Sequence, residues 1–262
     1  MRTTPFNETY GPYALVVGGS YGLGAAFAEA IARRGLNVVL LARQEDRLRA
    51  TATRLKETYG VDVIAFAADV ADYESVKERL NDLKVSIGLL VYDAAYAPIG
   101  LFEEVTEDQL VRAMEVNVRA PLLLAKFLSA PMIERGRGGI VLMSSLAGSQ
   151  GSPNIAAYAA TKSFNAILAE GLWKELKPHG VDVLACLAGA ILTPGYQAAE
   201  SAKPAPGTLE AEDVAEQTLR ALGKGPIIVP GAVNKVARFI LMRLLSRRAA
   251  IAIMSKNTGG LS

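Results

Sequence analysis

The chain has one cysteine, one histidine and one tryptophan in 262 residues. The lone Cys186 excludes an internal disulfide, and one cysteine with one histidine leaves no Cys/His cluster for a metal. His179 stands in KPHG, a helix-ending turn, and reads as a surface residue. A dense Lys/Arg block with interleaved aromatics is also missing. With a net charge of only +2, and despite a pI of about 8.6, this argues against nucleic acid as a partner. No run reaches the ~18 apolar residues needed to span a bilayer, and the opening MRTTPFNETYGPY holds no apolar signal-peptide core. Cytoplasm is the expected location.

What is present is apolar: 51 % hydrophobic against 21 % charged residues, enough for one large α/β core and too short a chain for two. Short Val/Ile/Leu-rich runs predict strands over 13–18, 37–42, 62–67, 87–92, 139–144, 181–187 and 226–230. Helix-period segments fall over 22–34, 44–59, 72–83, 106–129, 156–177 and 211–222. Continuous apolar strands imply burial on both faces, and regular βα alternation implies a parallel sheet. The expected fold is therefore a single α/β domain over 1–262. Its core is a Rossmann-like, doubly wound parallel sheet of about seven strands, with helices on both faces.

Directly after the first strand comes GGSYGLG, with Gly18, Gly22 and Gly24 in a strand-to-helix turn. Glycines there permit positive φ and close backbone approach, and the helix N-terminus offers unpaired N–H groups to a pyrophosphate. The spacing is G-x-x-x-G-x-G. At the end of the second strand no Asp or Glu stands to hold a ribose 2′-hydroxyl; Arg43 stands there instead, which favours NADP(H) over NAD(H) because a guanidinium pairs bidentately with a 2′-phosphate. Glu45 and Asp46 are the competing candidates for the ribose. Asp69, followed by Val70 in AADVAD, is placed to meet an adenine amino group or to serve turn chemistry, as Asp72 does at a helix N-cap.

The segment SLAGSQGSPNIAAYAATK sets Ser145, Tyr158 and Lys162 at fixed separations. Tyr158 and Lys162 are i and i+4 on one helix face, where a held ammonium beside a cationic cofactor lowers the phenol pKa. Ser145, at the end of a buried strand, can donate a hydrogen bond to an oxygen on which charge develops.

Together these motifs resemble the short-chain dehydrogenase/reductase family from about residue 13 to 230. The family's T-G-x-x-x-G-x-G appears as VGGSYGLG, its catalytic Ser and Y-x-x-x-K as Ser145 and YAATK, its helix asparagine as Asn117, and its P-G-x-x-x-T as AGAILT. The resemblance implies Tyr158 as proton donor and acceptor, Lys162 on the nicotinamide ribose, and Ser145 polarising the carbonyl. It implies that Asn117 holds a helix irregularity and a water leading to Lys162. It also implies cofactor contacts at Gly18, Ser20, Tyr21, Gly22, Leu23, Gly24, Asp93, Ala94, Gly189, Ile191 and Thr193. Three departures stand out: Val17 replaces the family threonine, Tyr92-Asp93-Ala94-Ala95 replaces N-N-A-G, and Ala188-Gly189 replaces P-G. YDAAYAPIG, YGPYALVVG and GAILTP are similar to a subset that includes bacterial 7β-hydroxysteroid dehydrogenases.

Ala95, Tyr96, Ile99, Leu146, Gln150, Pro153, Asn154, Ile191 and Tyr196 are expected to line the substrate side. The set is mostly apolar and lacks a clamp for a carboxylate, so a hydrophobic ketone or secondary alcohol, steroid-like or acyl-chain, is expected. The Pro/Gly/Ala-rich stretch 193–210 is read as a substrate loop and 232–256 as an amphipathic C-terminal helix. On that helix Val236, Ile240, Leu241 and Leu244 oppose Lys235, Arg238 and Arg243, and it packs on the body or a second subunit in preference to a membrane surface. The resemblance implies a homodimer or homotetramer. The rival to an enzyme is a dinucleotide-binding regulator or scaffold on the same fold.

Overall fold

The structure is a computed structural model and describes residues 5–192 and 206–258. A short helix α1 (Phe6–Tyr10), not expected from the sequence, precedes β1 (Tyr13–Val17), α2 (Gly22–Ala32), β2 (Asn37–Ala42) and α3 (Glu45–Tyr59). Then come β3 (Val63–Ala67), α4 (Tyr73–Asp82), β4 (Ile87–Tyr92), α5 (Glu107–Met114), a π-helical turn (Glu115–Arg119) and α6 (Ala120–Glu134). The second half contains β5 (Gly138–Ser145), α7 (Ala156–Leu176), β6 (Val181–Ala188), β7 (Ile191–Leu192), β8 (Leu209–Glu210) and α8 (Ala211–Ala221). It closes with β9 (Ile227–Ile228), α9 (Ala232–Phe239), a second π turn (Ile240–Leu244) and α10 (Arg247–Thr258).

Seven strands form one sheet in the order β3-β2-β1-β4-β5-β6-β9, every pair parallel. Each strand divides its side chains between two layers: Val16, Leu40 and Val91 enter one apolar cluster, Leu15, Leu41 and Leu90 the other. That is why the strands read as unbroken apolar runs. Helix α2 buries Leu23, Ala26, Phe27, Ala30 and Ile31, an i, i+3, i+4, i+7, i+8 stripe that lays one face on the sheet. Each fully buried Leu or Phe of this kind contributes about 1.5–3 kcal/mol.

The chain order reverses between β1 and β4, and the register puts Val17 beside Tyr92 and Ser145 beside Ala188 at the carboxyl edge. Ligands of such sheets bind at this edge, beside the reversal.

Four expectations change. The predicted helix 106–129 runs on to Glu134 and is broken by the π turn at 115–119. The run Glu107–Glu134 has the length and mean hydropathy (1.2) of a membrane span, but its inner face, with Val116, Leu124 and Leu128, packs on the sheet. Of the stretch 193–210, residues 193–205 lie outside the described residues, while Leu209–Glu210 form a strand on Ile191–Leu192.

The C-terminal segment is two helices, because Leu245 turns extended and Ser246 caps the next helix by accepting the Ala249 N–H. Its expected apolar face divides: Leu241 is half-buried, while Val236, Ile240 and Leu244 (65 % exposed), with Phe239 (59 %), face outward. Asn234 is the buried anchor instead, donating to the Gly207 and Pro230 carbonyls, and Arg238, expected on the solvated face, is half-buried.

Candidate active site

Two cavities share the carboxyl edge. The first, 360 Å³, lies between the glycine turn and the ends of β2, β3 and β4. The Gly18 N–H donates to Leu41 O at 2.8 Å, and Gly18 (φ +93°) and Gly22 (φ +54°) take backbone conformations that L side chains rarely adopt. A Cβ on Gly24 would lie 2.1 Å from the Gly18 carbonyl, so the third glycine lets α2 close on its own turn. Tyr21, the N-cap of α2, makes no side-chain capping bond, so the first turn of α2, apart from the Gly24 N–H that Asp93 accepts, presents N–H groups to an anion.

Gly18, Ser20, Tyr21, Arg43, Asp69, Val70, Asp93 and Ala94 all line this cleft. Glu45 and Asp46 do not, and Glu45 is paired with Arg49. Sequence reasoning missed Arg47 and Arg112, which line it too. The Arg47 guanidinium sits 4.6 Å from the Tyr21 ring centroid; its place one helical turn after Arg43 was the available signal. Asp69 is committed elsewhere: one oxygen takes Arg112 at 2.5 Å, the other the Ala71 N–H. Burial pushes its carboxyl up, and these two donors outweigh burial and hold it below the usual range. The Asp72 N-cap is as expected, accepting from Ser75. The glycine turn, the α2 N-terminus and the arginines beside it fit the phosphates of a nicotinamide dinucleotide.

The second cavity, 430 Å³, continues from the first past Tyr21, Gly22, Leu23 and Asp93 to Ser145, Tyr158, Lys162, Ala188, Gly189 and Ile191. Thr193 and Tyr196 lie outside the described residues. The Ala-rich start of α7 favours helix and keeps that helix close to the sheet. Its backbone is stapled to β5 by Ser144 Oγ donating to Lys162 O at 2.7 Å. A Cβ on Gly148 would lie 2.8 Å from Ser163 N, so this glycine lets the loop after β5 press onto α7.

The Ser145 hydroxyl hydrogen-bonds the Tyr158 hydroxyl. Lys162, 3 % exposed, donates from Nζ to Met143 O at 3.0 Å and stands 5.5 Å from the Tyr158 ring centroid. The expected depression of the phenol by Lys162 is not met by the protein's own groups. Burial pushes Tyr158 up to about 12, against the Ser145 bond, and the Asp93 charge adds to the rise. Lys162 is itself pulled down to about 8 by burial, against the pull of Asp93.

Asn117 is fully buried inside the π turn, the helix irregularity expected of it. Its amide clamps the Tyr96 backbone, accepting from N at 2.8 Å and donating to O at 2.7 Å. It also donates to Thr161 Oγ1 at 3.0 Å, and its own carbonyl takes Asn165. These bonds tie the π turn to the β4–α5 loop and to α7. Tyr92, in place of the family asparagine, donates to Val116 O at 2.5 Å and so satisfies a carbonyl of the same turn. At the Val17 departure the missing hydroxyl is answered by backbone bonds, with Asp93 N and Ala94 N both donating to Val17 O.

The expected substrate-side set divides. Ala95 and Ile191 line the catalytic cavity, and Tyr96 lines the cofactor cleft. Pro153 and Asn154 line a separate apolar cavity of 210 Å³ with Leu101 and Phe102. Ile99 is exposed, and Gln150 is buried with both amide atoms unpaired among the described residues.

A glycine-turn cleft that runs directly into a pocket carrying a serine, a tyrosine and a lysine, at the carboxyl edge of a parallel sheet, places the chain among the doubly wound α/β proteins of the dinucleotide-binding class. Within that class the chain belongs to the short chain dehydrogenase family, whose model matches residues 12–204. It is 33 % identical over 204 residues to mouse (Mus musculus) inactive hydroxysteroid dehydrogenase-like protein 1, over 76 % of this chain and 59 % of that relative. The chain thus spans less than two thirds of that protein's length. It is 28 % identical over 233 residues to the 7beta-hydroxysteroid dehydrogenase of Clostridium sardiniense, covering 88 % of this chain and 89 % of the relative.

Among solved structures, a 7beta-hydroxysteroid dehydrogenase superposes with a TM-score of 0.91 at 26 % identity, over 96 % of this chain and 99 % of the other. A short-chain dehydrogenase from Sphingobium yanoikuyae in complex with NADPH gives 0.76 at 33 %, over 84 % and 87 %.

Proposed function

We propose that the chain is an NADP(H)-dependent oxidoreductase that interconverts a hydrophobic ketone and its secondary alcohol, with steroid-like or acyl-chain compounds as candidate substrates. The observation that carries this reading is the convergence of Ser145, Tyr158 and Lys162 on one cavity that opens into the arginine-lined cleft. The hydroxysteroid dehydrogenase names of its relatives and the NADPH bound to a solved neighbour support it.

In reduction, Tyr158 gives its hydroxyl proton to the carbonyl oxygen as that oxygen becomes an alkoxide. Ser145 donates a hydrogen bond to the same oxygen. The Lys162 ammonium lowers the cost of the phenolate left behind. The glycine turn and the α2 N-terminus would hold the cofactor's diphosphate, and Arg43 with Arg47 its 2′-phosphate. The bound nicotinamide supplies or accepts the hydride.

The test is Tyr158→Phe, with turnover of bulky apolar ketones followed at the nicotinamide absorbance and cofactor binding by calorimetry. We expect turnover to fall by about two to four orders of magnitude with binding unchanged; equal turnover in both proteins ends the assigned mechanism.

The second reading, a non-catalytic dinucleotide-binding regulator or scaffold, is favoured by one observation: a relative at 33 % identity is named inactive. Absence of turnover across ketones and alcohols with both cofactors, while NADPH still binds, selects it.

A further inference from the structure

Asp93 is the one acidic and Lys162 the one basic residue among the described residues that line the catalytic cavity. The family motif has a neutral asparagine in this segment; here the chain reads Tyr92-Asp93-Ala94-Ala95.

Asp93 is held through both its backbone and its side chain. Its backbone N–H donates to Val17 O at 2.9 Å, and its side chain accepts the Gly24 N–H from the first turn of α2. It reaches both cavities, standing where the glycine turn meets Ser145, Tyr158 and Lys162. An amide there would satisfy Gly24 equally well, so hydrogen bonding does not account for the charge. A charge even partly withdrawn from water is costly without an opposite charge to answer it; Asp93 is half-buried, and Lys162 is the opposite charge in this cavity.

We infer that Asp93 is a positioning residue for proton transfer, the counter-ion within the shared cavity that keeps the Lys162 ammonium charged beside Tyr158. The inference rests on the reading of Tyr158 and Lys162 as the proton-transfer pair.

Burial pushes Asp93 up to about 6, with Lys162 and the Gly24 N–H opposing the rise. Burial pulls Lys162 down to about 8, with Asp93 opposing the fall. The two are therefore both charged between about pH 6 and 8. The other titratable groups coupled to Asp93 are Tyr158 on α7 and the Cys186 thiol on β6. Burial raises each of these to about 12, so both stay neutral across that window. The glycine helix contributes the Gly24 N–H alone. Asp93 also tends to raise the phenol, so it sustains the lysine at some cost to Tyr158 acidity.

The test compares wild type with Asp93→Asn, which keeps an acceptor for Gly24 and removes the charge. Protein labelled with ¹⁵N at the lysine Nζ is titrated by NMR without cofactor, and Lys162→Met assigns the signal. In Asp93→Asn the Lys162 midpoint should drop by about one pH unit, and the alkaline limb of kcat/KM should move down with it. An unchanged midpoint overturns the inference, as does a shifted midpoint with an unmoved pH profile.

If Asp93→Asn does not fold, the Asp93 carboxyl is followed by ¹³C NMR in Lys162→Met, where its midpoint should rise by about one unit; no rise overturns the pairing. Full activity in Tyr158→Phe would end the proton-donor reading, yet the Lys162 midpoint would still decide whether Asp93 is its counter-ion.

Discussion

At the scale of single residues, the cofactor cleft makes a prediction that separates its two arginines from ordinary surface charge. Arg43 and Arg47 line the cleft while Glu45 and Asp46 do not, and Arg47 is held over Tyr21. A charge-assisted bond contributes about 1.5–3 kcal/mol. Arg43→Ala should therefore weaken NADPH by about 10- to 100-fold and leave NADH nearly unchanged, with Arg47→Ala smaller in the same direction. Calorimetric titration with both nucleotides checks this, and equal losses for the two would remove Arg43 from the 2′-phosphate site. Arg43 was legible in the sequence because it ends a strand whose register is plain. Arg47 needed the helix to bring it round.

At the scale of elements, α2 and α8 are joined by Glu216, which takes Arg33 and Arg34 from the end of α2, each at 2.6 Å. The Arg34 hydrogen bond is the leading cause that holds the Glu216 carboxyl down to about 2, against burial. A carboxyl depressed in the folded state stabilises fully above its ordinary value of 4.5 and loses that contribution as pH falls toward 2. Glu216→Gln should therefore lower Tm above about pH 5, and its curve should converge on wild type near pH 2. Parallel Tm curves down to pH 2 would deny Glu216 this role.

The helix α5–α6 shows what periodicity misses. An apolar stripe fits a straight helix, whereas the π turn exists because Tyr92 takes the Val116 carbonyl and Asn117 the Tyr96 backbone. Both partners are distant in sequence.

For the molecule as a whole, charge is distributed unevenly. Residues 217–262 carry eight basic and no acidic side chains, which leaves net −6 on the rest of the chain. The outward apolar strip at Val236, Phe239, Ile240 and Leu244 lies in this basic segment, and exposed patches of this kind mark interaction surfaces. We propose that the acidic body of a second copy covers it in the homodimer or homotetramer that the family resemblance implies. Val236→Asp with Phe239→Asp should shift sedimentation to a smaller species and leave the fold unchanged. Unchanged sedimentation together with flotation on anionic liposomes would assign the strip to a lipid surface instead.

The amino-acid sequence alone determined what depends on short spacings. These are the seven strands of the sheet, the glycine turn into α2, Arg43 at a strand end, and Tyr158 one helical turn before Lys162. Strand burial, turn geometry and helix periodicity act over a few residues, so they can be read along the chain. The tertiary structure alone decided which groups meet across the fold: Asp69 with Arg112, 43 residues apart, Asn117 with Tyr96 and Thr161, and Asp93 and Lys162 on one cavity. It also changed part of the amphipathic C-terminal segment, half-burying Arg238 and exposing Leu244, while Lys235 and Arg243 stay exposed as expected. Charge pairing and burial depend on distance in space, and that distance exists only once the strands have been ordered β3-β2-β1-β4-β5-β6-β9.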